Sequence, residues 1–102
     1  MEITEINERS FEEAIVGDAL IEFFSPTCVY CKRSEPILRR LSDEYTGIGF
    51  FKLDISENGS MTERYGIKGL PTFVLISNGR EIGRSMGAKG EEALRTLLDK
   101  AK

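Results

Sequence analysis

The chain has 102 residues, 40% of them hydrophobic and 30% charged, and a formal net charge of −3. That length predicts one domain spanning 1–102, with one modest core. The negative balance argues against nucleic acid or an anionic membrane as a partner, and no apolar stretch approaches the length of a membrane span.

Taken in chain order, Glu2 to Ile6 reads as a short first strand. Ser10 and Glu13 have capping-box spacing, with a helix beginning there or already near Asn7. Phe11, Ala14 and Ile15 fall on one face of it, and Gly17 stops it. Ala19 to Phe24 is an apolar run ended by Ser25-Pro26, a buried strand. A longer helix runs from Cys28 to about Tyr45, with Ile37, Leu38, Leu41 and Tyr45 as its apolar stripe. Glu35 and Arg39 form an i,i+4 pair on it, and Pro36 removes one backbone donor inside it. Arg39-Arg40 reads as a solvated helix face rather than a partner-binding patch.

Gly49 to Asp54 is the next strand, with Phe50 and Lys52 on one face and Phe51 and Leu53 on the other. A short helix follows at about Ser60 to Tyr65, and Gly66 and Gly69 bracket a turn into Leu70-Pro71. Thr72 to Ser77 is a second buried strand. Asn78-Gly79 is a hairpin signal that joins it to a strand at about Arg80 to Met86. A final helix spans about Glu91 to Ala101, with Ala93, Leu94, Leu97 and Leu98 facing in. The order β-α-β-α-β-α-β-β-α predicts an α/β fold, a mixed central sheet with helices on both faces.

Cys28 and Cys31 are the only cysteines, and the chain has no histidine. A zinc site needs about four ligands, which this pair cannot supply within one chain, so no metal is expected. A static disulfide would close too short a loop to stabilise much. What remains is a dithiol that closes and opens. The first acidic residues, Met1 to Ser10, carry no apolar region of a signal peptide. A C-x-x-C in a chain that looks cytoplasmic is more often redox-active than structural. At a helix start, Cys28 gains from partial positive charge and unpaired N–H groups, which lower a thiol pKa. Lys32 and Arg33 add positive charge just beyond. Cys28 is therefore expected as the nucleophile, and Cys31, one turn on, as the resolving thiol.

Cys28-Val29-Tyr30-Cys31-Lys32 after an apolar strand, with Gly69-Leu70-Pro71-Thr72-Phe73 downstream and Asn78-Gly79 and Gly87-Ala88 beyond, resembles the thioredoxin family over essentially the whole chain. The resemblance implies the thioredoxin fold and thiol–disulfide exchange with disulfide-containing protein partners. It also implies a monomer with no tightly bound cofactor, fed by an upstream donor of the thioredoxin-reductase type. Pro71 would be a cis-proline opposite the cysteines, turning the Leu70 backbone toward a bound substrate strand. Gly87 would let substrate backbone approach closely, or would simply end a strand.

Glu22, six residues before Cys28, occupies the place of the family's buried acid. It also interrupts Leu20 to Phe24, which places its side chain in an apolar layer where burial raises its pKa. Such a carboxyl is suited to take the proton from Cys31, directly or through a water. Lys52 matches the lysine that neighbours this acid in the family, and the two also allow a purely structural ion pair. The family's usual Trp-Cys-Gly-Pro-Cys is replaced here by Thr27-Cys28-Val29-Tyr30-Cys31. Tyr30 brings no positive charge, so a reducing rather than an oxidising centre is expected. Tyr30 also resembles the Cys-Pro-Tyr-Cys centre of glutaredoxins, which makes a glutathione-coupled oxidoreductase the alternative enzyme. A redox-sensing binding module is the alternative outside enzymes. Val29 and Tyr30 are further expected to form an apolar docking surface with Leu70 and Ala88.

Overall fold

The computed structural model describes residues 3–101. Five strands form one sheet: β1 (Thr4–Ile6), β2 (Asp18–Phe24), β3 (Gly49–Asp54), β4 (Thr72–Ser77) and β5 (Arg80–Met86). Their spatial order is β1-β3-β2-β4-β5. β1 and β2 pair with β3 in parallel, whereas β4 runs antiparallel to both β2 and β5. The most apolar strand, β2, therefore lies at the centre, where both its faces are covered. Four helices alternate with the strands: α1 (Phe11–Ala14), α2 (Val29–Glu44), α3 (Gly59–Arg64) and α4 (Glu91–Leu98), the last followed by a 3-10 turn at Asp99–Ala101. This is the predicted order, within a residue or two at most boundaries. Of the expected first strand, Glu2 lies outside the described residues.

The period-2 alternation of the strands divides the core in two. Ile21 and Phe23 of β2 point toward α1 and α3 and join Phe11, Leu53, Met61 and Val74. Leu20 points the other way and joins Leu38 and Leu41 of α2 and Leu94, Leu97 and Leu98 of α4. Asn78 and Gly79 both have positive φ, 53° and 80°, the type I′ geometry that matches strand twist in a two-residue hairpin.

The first helix departs from expectation. It is one turn long and does not begin at Asn7, and the Ser10 side chain makes no cap hydrogen bond to it. Instead the Ser10 hydroxyl accepts from the Asn7 amide at 3.1 Å, and Asn7 Oδ1 accepts from the amides of Arg9 (2.8 Å) and Ser10 (3.1 Å). An Asx-type turn has taken the capping serine for itself. Arg39 pairs with Glu35 as expected. Arg40 reaches across to Glu91 on α4, so half of the expected solvated Arg39-Arg40 face ties two helices together.

Candidate active site

Strand β2 ends at Phe24, and Ser25-Pro26 turns the chain into α2. Cys28 is the N-cap of α2, in extended conformation, and its sulfur accepts from the Cys31 amide at 3.2 Å. A cysteine here does the work of the serine or aspartate usually found at a helix start. Cys28 and Cys31 are joined as a disulfide, with Cα atoms 5.3 Å apart. The two sulfurs differ in access. Cys31 is 5% exposed, whereas Cys28 is only partly covered. Val29 and Tyr30 between them are more than half exposed, and the Arg33 guanidinium lies 5.5 Å from the Tyr30 ring centre.

Behind the disulfide lies a cavity of about 110 Å³, lined by Glu22, Phe24, Pro26, Cys31, Glu35 and Lys52, among others. It has room for a few water molecules. Glu22 is 4% exposed, and its Oε2 has no hydrogen-bond partner. Burial, reinforced by the negative charge of Glu35 and opposed by Lys52, pushes its pKa up to about 7. The register aligns Glu22 with Lys52 across β2 and β3. Lys52 Nζ nevertheless makes its ion pair with Glu35 Oε1, at 3.8 Å, and lies 5.1 Å from the Phe24 ring centre. The structural Glu22–Lys52 ion pair that the sequence also allows does not form; Lys52 pairs with Glu35, and the buried acid is left without a hydrogen bond at Oε2.

Glu35 lines the cavity and pairs with Lys52, although in the sequence it reads only as the i,i+4 partner of Arg39. The available signal was spacing: Glu35 follows Cys31 by one i,i+4 step, so both lie on the same helix face.

The remaining residues line up across the sheet end. Phe23 is opposite Thr72, and Thr72 is opposite Met86, so Pro71 and Gly87 extend the row that ends at Phe24. The Leu70–Pro71 bond is cis, and the Gly87 amide donates to the Pro71 carbonyl at 2.7 Å. Gly87 has φ +85°, a backbone conformation that suits glycine, although the space a side chain would take is open. Leu70 departs from expectation: its side chain is half-buried against the core on the α1–α3 side. Met86, 55% exposed at the end of β5, is an apolar residue beside this row that the sequence reading did not single out. Among the described residues no cluster of three or more His, Cys, Asp or Glu is arranged to hold a metal, and no helix is long and apolar enough to cross a membrane.

The family model for Thioredoxin matches residues 2–100. The chain is 32% identical over 96 residues to the thioredoxin of Chlamydia trachomatis, covering 93% of this chain and 94% of that one. It is also 32% identical over 102 residues to the thioredoxin of Bacillus subtilis, covering 98% of each. Among solved structures, oxidised mitochondrial thioredoxin 3 of Saccharomyces cerevisiae superposes with a TM-score of 0.88 at 30% identity, covering 96% of this chain and 94% of that one. With its cysteine pair joined at the start of α2, the protein is a thiol–disulfide oxidoreductase, a disulfide reductase whose redox group is built into its own chain. The chain belongs to the thioredoxin family.

Proposed function

We propose that this protein reduces disulfides of protein partners through a Cys28 mixed disulfide resolved by Cys31, with Glu22 as the proton acceptor for Cys31. The observation that carries this reading is the cavity shared by Cys31 and Glu22, with the unpartnered Oε2 of Glu22 on the same buried side as the less accessible sulfur.

In the reduced protein, the Cys31 amide and the α2 N-terminus face the Cys28 sulfur and favour its thiolate. The thiolate attacks a substrate disulfide. A Cys28–substrate bond forms, the substrate S–S bond breaks, and the first substrate sulfur leaves as a thiolate that takes up a proton. The Cys31 thiol then gives its proton to the Glu22 carboxylate, across the cavity or through water within it. The Cys31 thiolate attacks Cys28, closing the Cys28–Cys31 disulfide and expelling the second substrate thiolate. Two electrons pass from the protein dithiol to the substrate. Lys52 and Glu35 act on the charge of Glu22 from the cavity wall, in opposite directions.

Substrate backbone would lie along the Pro71–Gly87 row, with Leu70 offering backbone groups and Tyr30 apolar surface. The same reading takes the protein as a cytoplasmic monomer re-reduced by a donor of the thioredoxin-reductase type. A disulfide-linked protein substrate mixed with Cys31→Ser tests the roles. A mixed disulfide should accumulate on Cys28 and release substrate only when dithiothreitol is added. Equal trapping by Cys28→Ser would overturn the assignment.

A further inference from the structure

The end of the sheet that carries the disulfide is divided by charge. Loops 25–28, 66–71 and 87–90 cluster at the ends of β2, β4 and β5, and none contains an Asp or Glu. These loops and the first turns of α2 hold four exposed cations, Lys32, Arg33, Lys68 and Lys89. None of the four makes an ion pair among the described residues. Nearby acids are held elsewhere: Glu91 by Arg40 and Arg95, and Glu35 by Arg39 and Lys52. Glu92, beside Glu91 in the first turn of α4, stays exposed.

The other half of the same end, beyond β1 and β3, has the opposite sign. Glu5, Glu8 and Glu57 line an open groove of about 610 Å³ there, with Arg9 as the only cation in its wall. A chain with a net charge of −3 thus keeps unpaired positive charge around its reactive sulfur. Potential of one sign around a site raises both the encounter rate and the discrimination between partners.

We infer that the preferred substrates are extended protein segments whose disulfide is flanked by Asp or Glu. The four cations attract them, and the acidic half of the surface keeps the segment on the β4–β5 side of Cys28. The inference rests on the disulfide-reductase reading and adds a substrate class to it. Apolar contact at Tyr30 and Met86 does not select by charge; Lys68 and Lys89, which bracket Leu70 and Gly87 in sequence, do.

The test uses three disulfide-linked peptides of equal length, with Glu, Gln or Lys on both sides of the cysteine. Each is reduced by the wild-type chain with dithiothreitol as donor, and the rate with dithiothreitol alone is subtracted. At low salt, kcat/KM should fall from the Glu to the Gln to the Lys peptide, with the extremes differing by about tenfold, and the spread should close near 0.5 M salt. Lys68→Glu with Lys89→Glu should reverse the order. Should that variant not fold, Lys68→Gln with Lys89→Gln should narrow the spread. Equal kcat/KM for all three peptides at low salt would overturn the charge inference and leave the reductase reading intact. Failure to turn over any peptide would overturn both.

Discussion

Lys52 stands in register with Glu22 across the central parallel strands, yet gives its ion pair to Glu35 on α2. The buried acid is therefore influenced by two flanking charges and neutralised by neither. Its carboxyl is held near pH 7, midway between the proton affinities of an ordinary carboxylate and an ordinary thiol.

With Glu22 as the proposed acceptor for Cys31, the resolving step should depend on pH. Glu22 must be ionised to accept the Cys31 proton, so reduction of a protein disulfide should accelerate as pH rises through about 7. Glu22→Gln should slow turnover by about a hundredfold at pH 7 and remove the inflection. Stopped-flow measurement of mixed-disulfide decay between pH 6 and pH 9 reads this directly. An unchanged rate across that range would eliminate Glu22 as the acceptor.

The two flanking charges should move the inflection in opposite directions. Lys52→Met removes the charge that lowers the Glu22 pKa, so its midpoint should shift to higher pH. Glu35→Gln removes the charge that raises it, so its midpoint should shift to lower pH. The same pH series checks both variants, and shifts of the same sign would exclude this electrostatic account.

Stability should carry the same signature. The folded-state pKa of Glu22 is raised from 4.5 to about 7, so the folded protein binds more protons than the unfolded chain between those values. The contribution of this group to stability is thus greatest below pH 4.5 and falls as pH climbs to about 7. The loss is on the order of 3 kcal/mol. Urea denaturation of wild type and Glu22→Gln at pH 5 and pH 8 should show the variant gaining relative to wild type at the higher pH.

Tyr30 should separate docking from chemistry. It is 58% exposed, next to Cys31, and does not line the cavity that holds Glu22. Tyr30→Ala should reduce kcat/KM for a protein substrate several-fold more than for a small disulfide. Equal losses would place Tyr30 in the chemistry instead of the docking surface.

One loop anchor should matter to stability alone. The side chain of buried Asn58 donates to the Asp54 carbonyl (2.8 Å) and accepts from the Glu8 amide (3.0 Å), joining the loops after β3 and β1. Asn58→Ala leaves both backbone groups without that partner and should cost about 2 kcal/mol in urea denaturation.

Much of this was legible in the sequence, because the informative features were local. The apolar run ending at Ser25-Pro26, the Asn78-Gly79 turn and the stripe through Leu38 and Leu41 each specify an element by neighbouring residues. Glu22 was readable for the same reason: one acid inside a buried strand is conspicuous. Two features turned on which of two available partners a group takes, which residue pattern alone does not decide. Ser10 was claimed by Asn7, three residues earlier, in a turn that competes with the helix for the same hydroxyl. The choice of Glu35 over Glu22 by Lys52 depends on how α2 lies across β3, which side-chain packing sets.

Glu22 lies on the same side of β2 as Leu20, so it occupies a place in the α2–α4 core layer that a leucine or valine would fill. Selection for heat resistance alone would favour an apolar residue there, because burial costs the carboxylate more than Lys52 returns. In a library of variants enriched by heating and screened only for solubility, position 22 should therefore drift toward aliphatic residues. The thermally hardened survivors would keep their disulfide and still be slow to release their substrates.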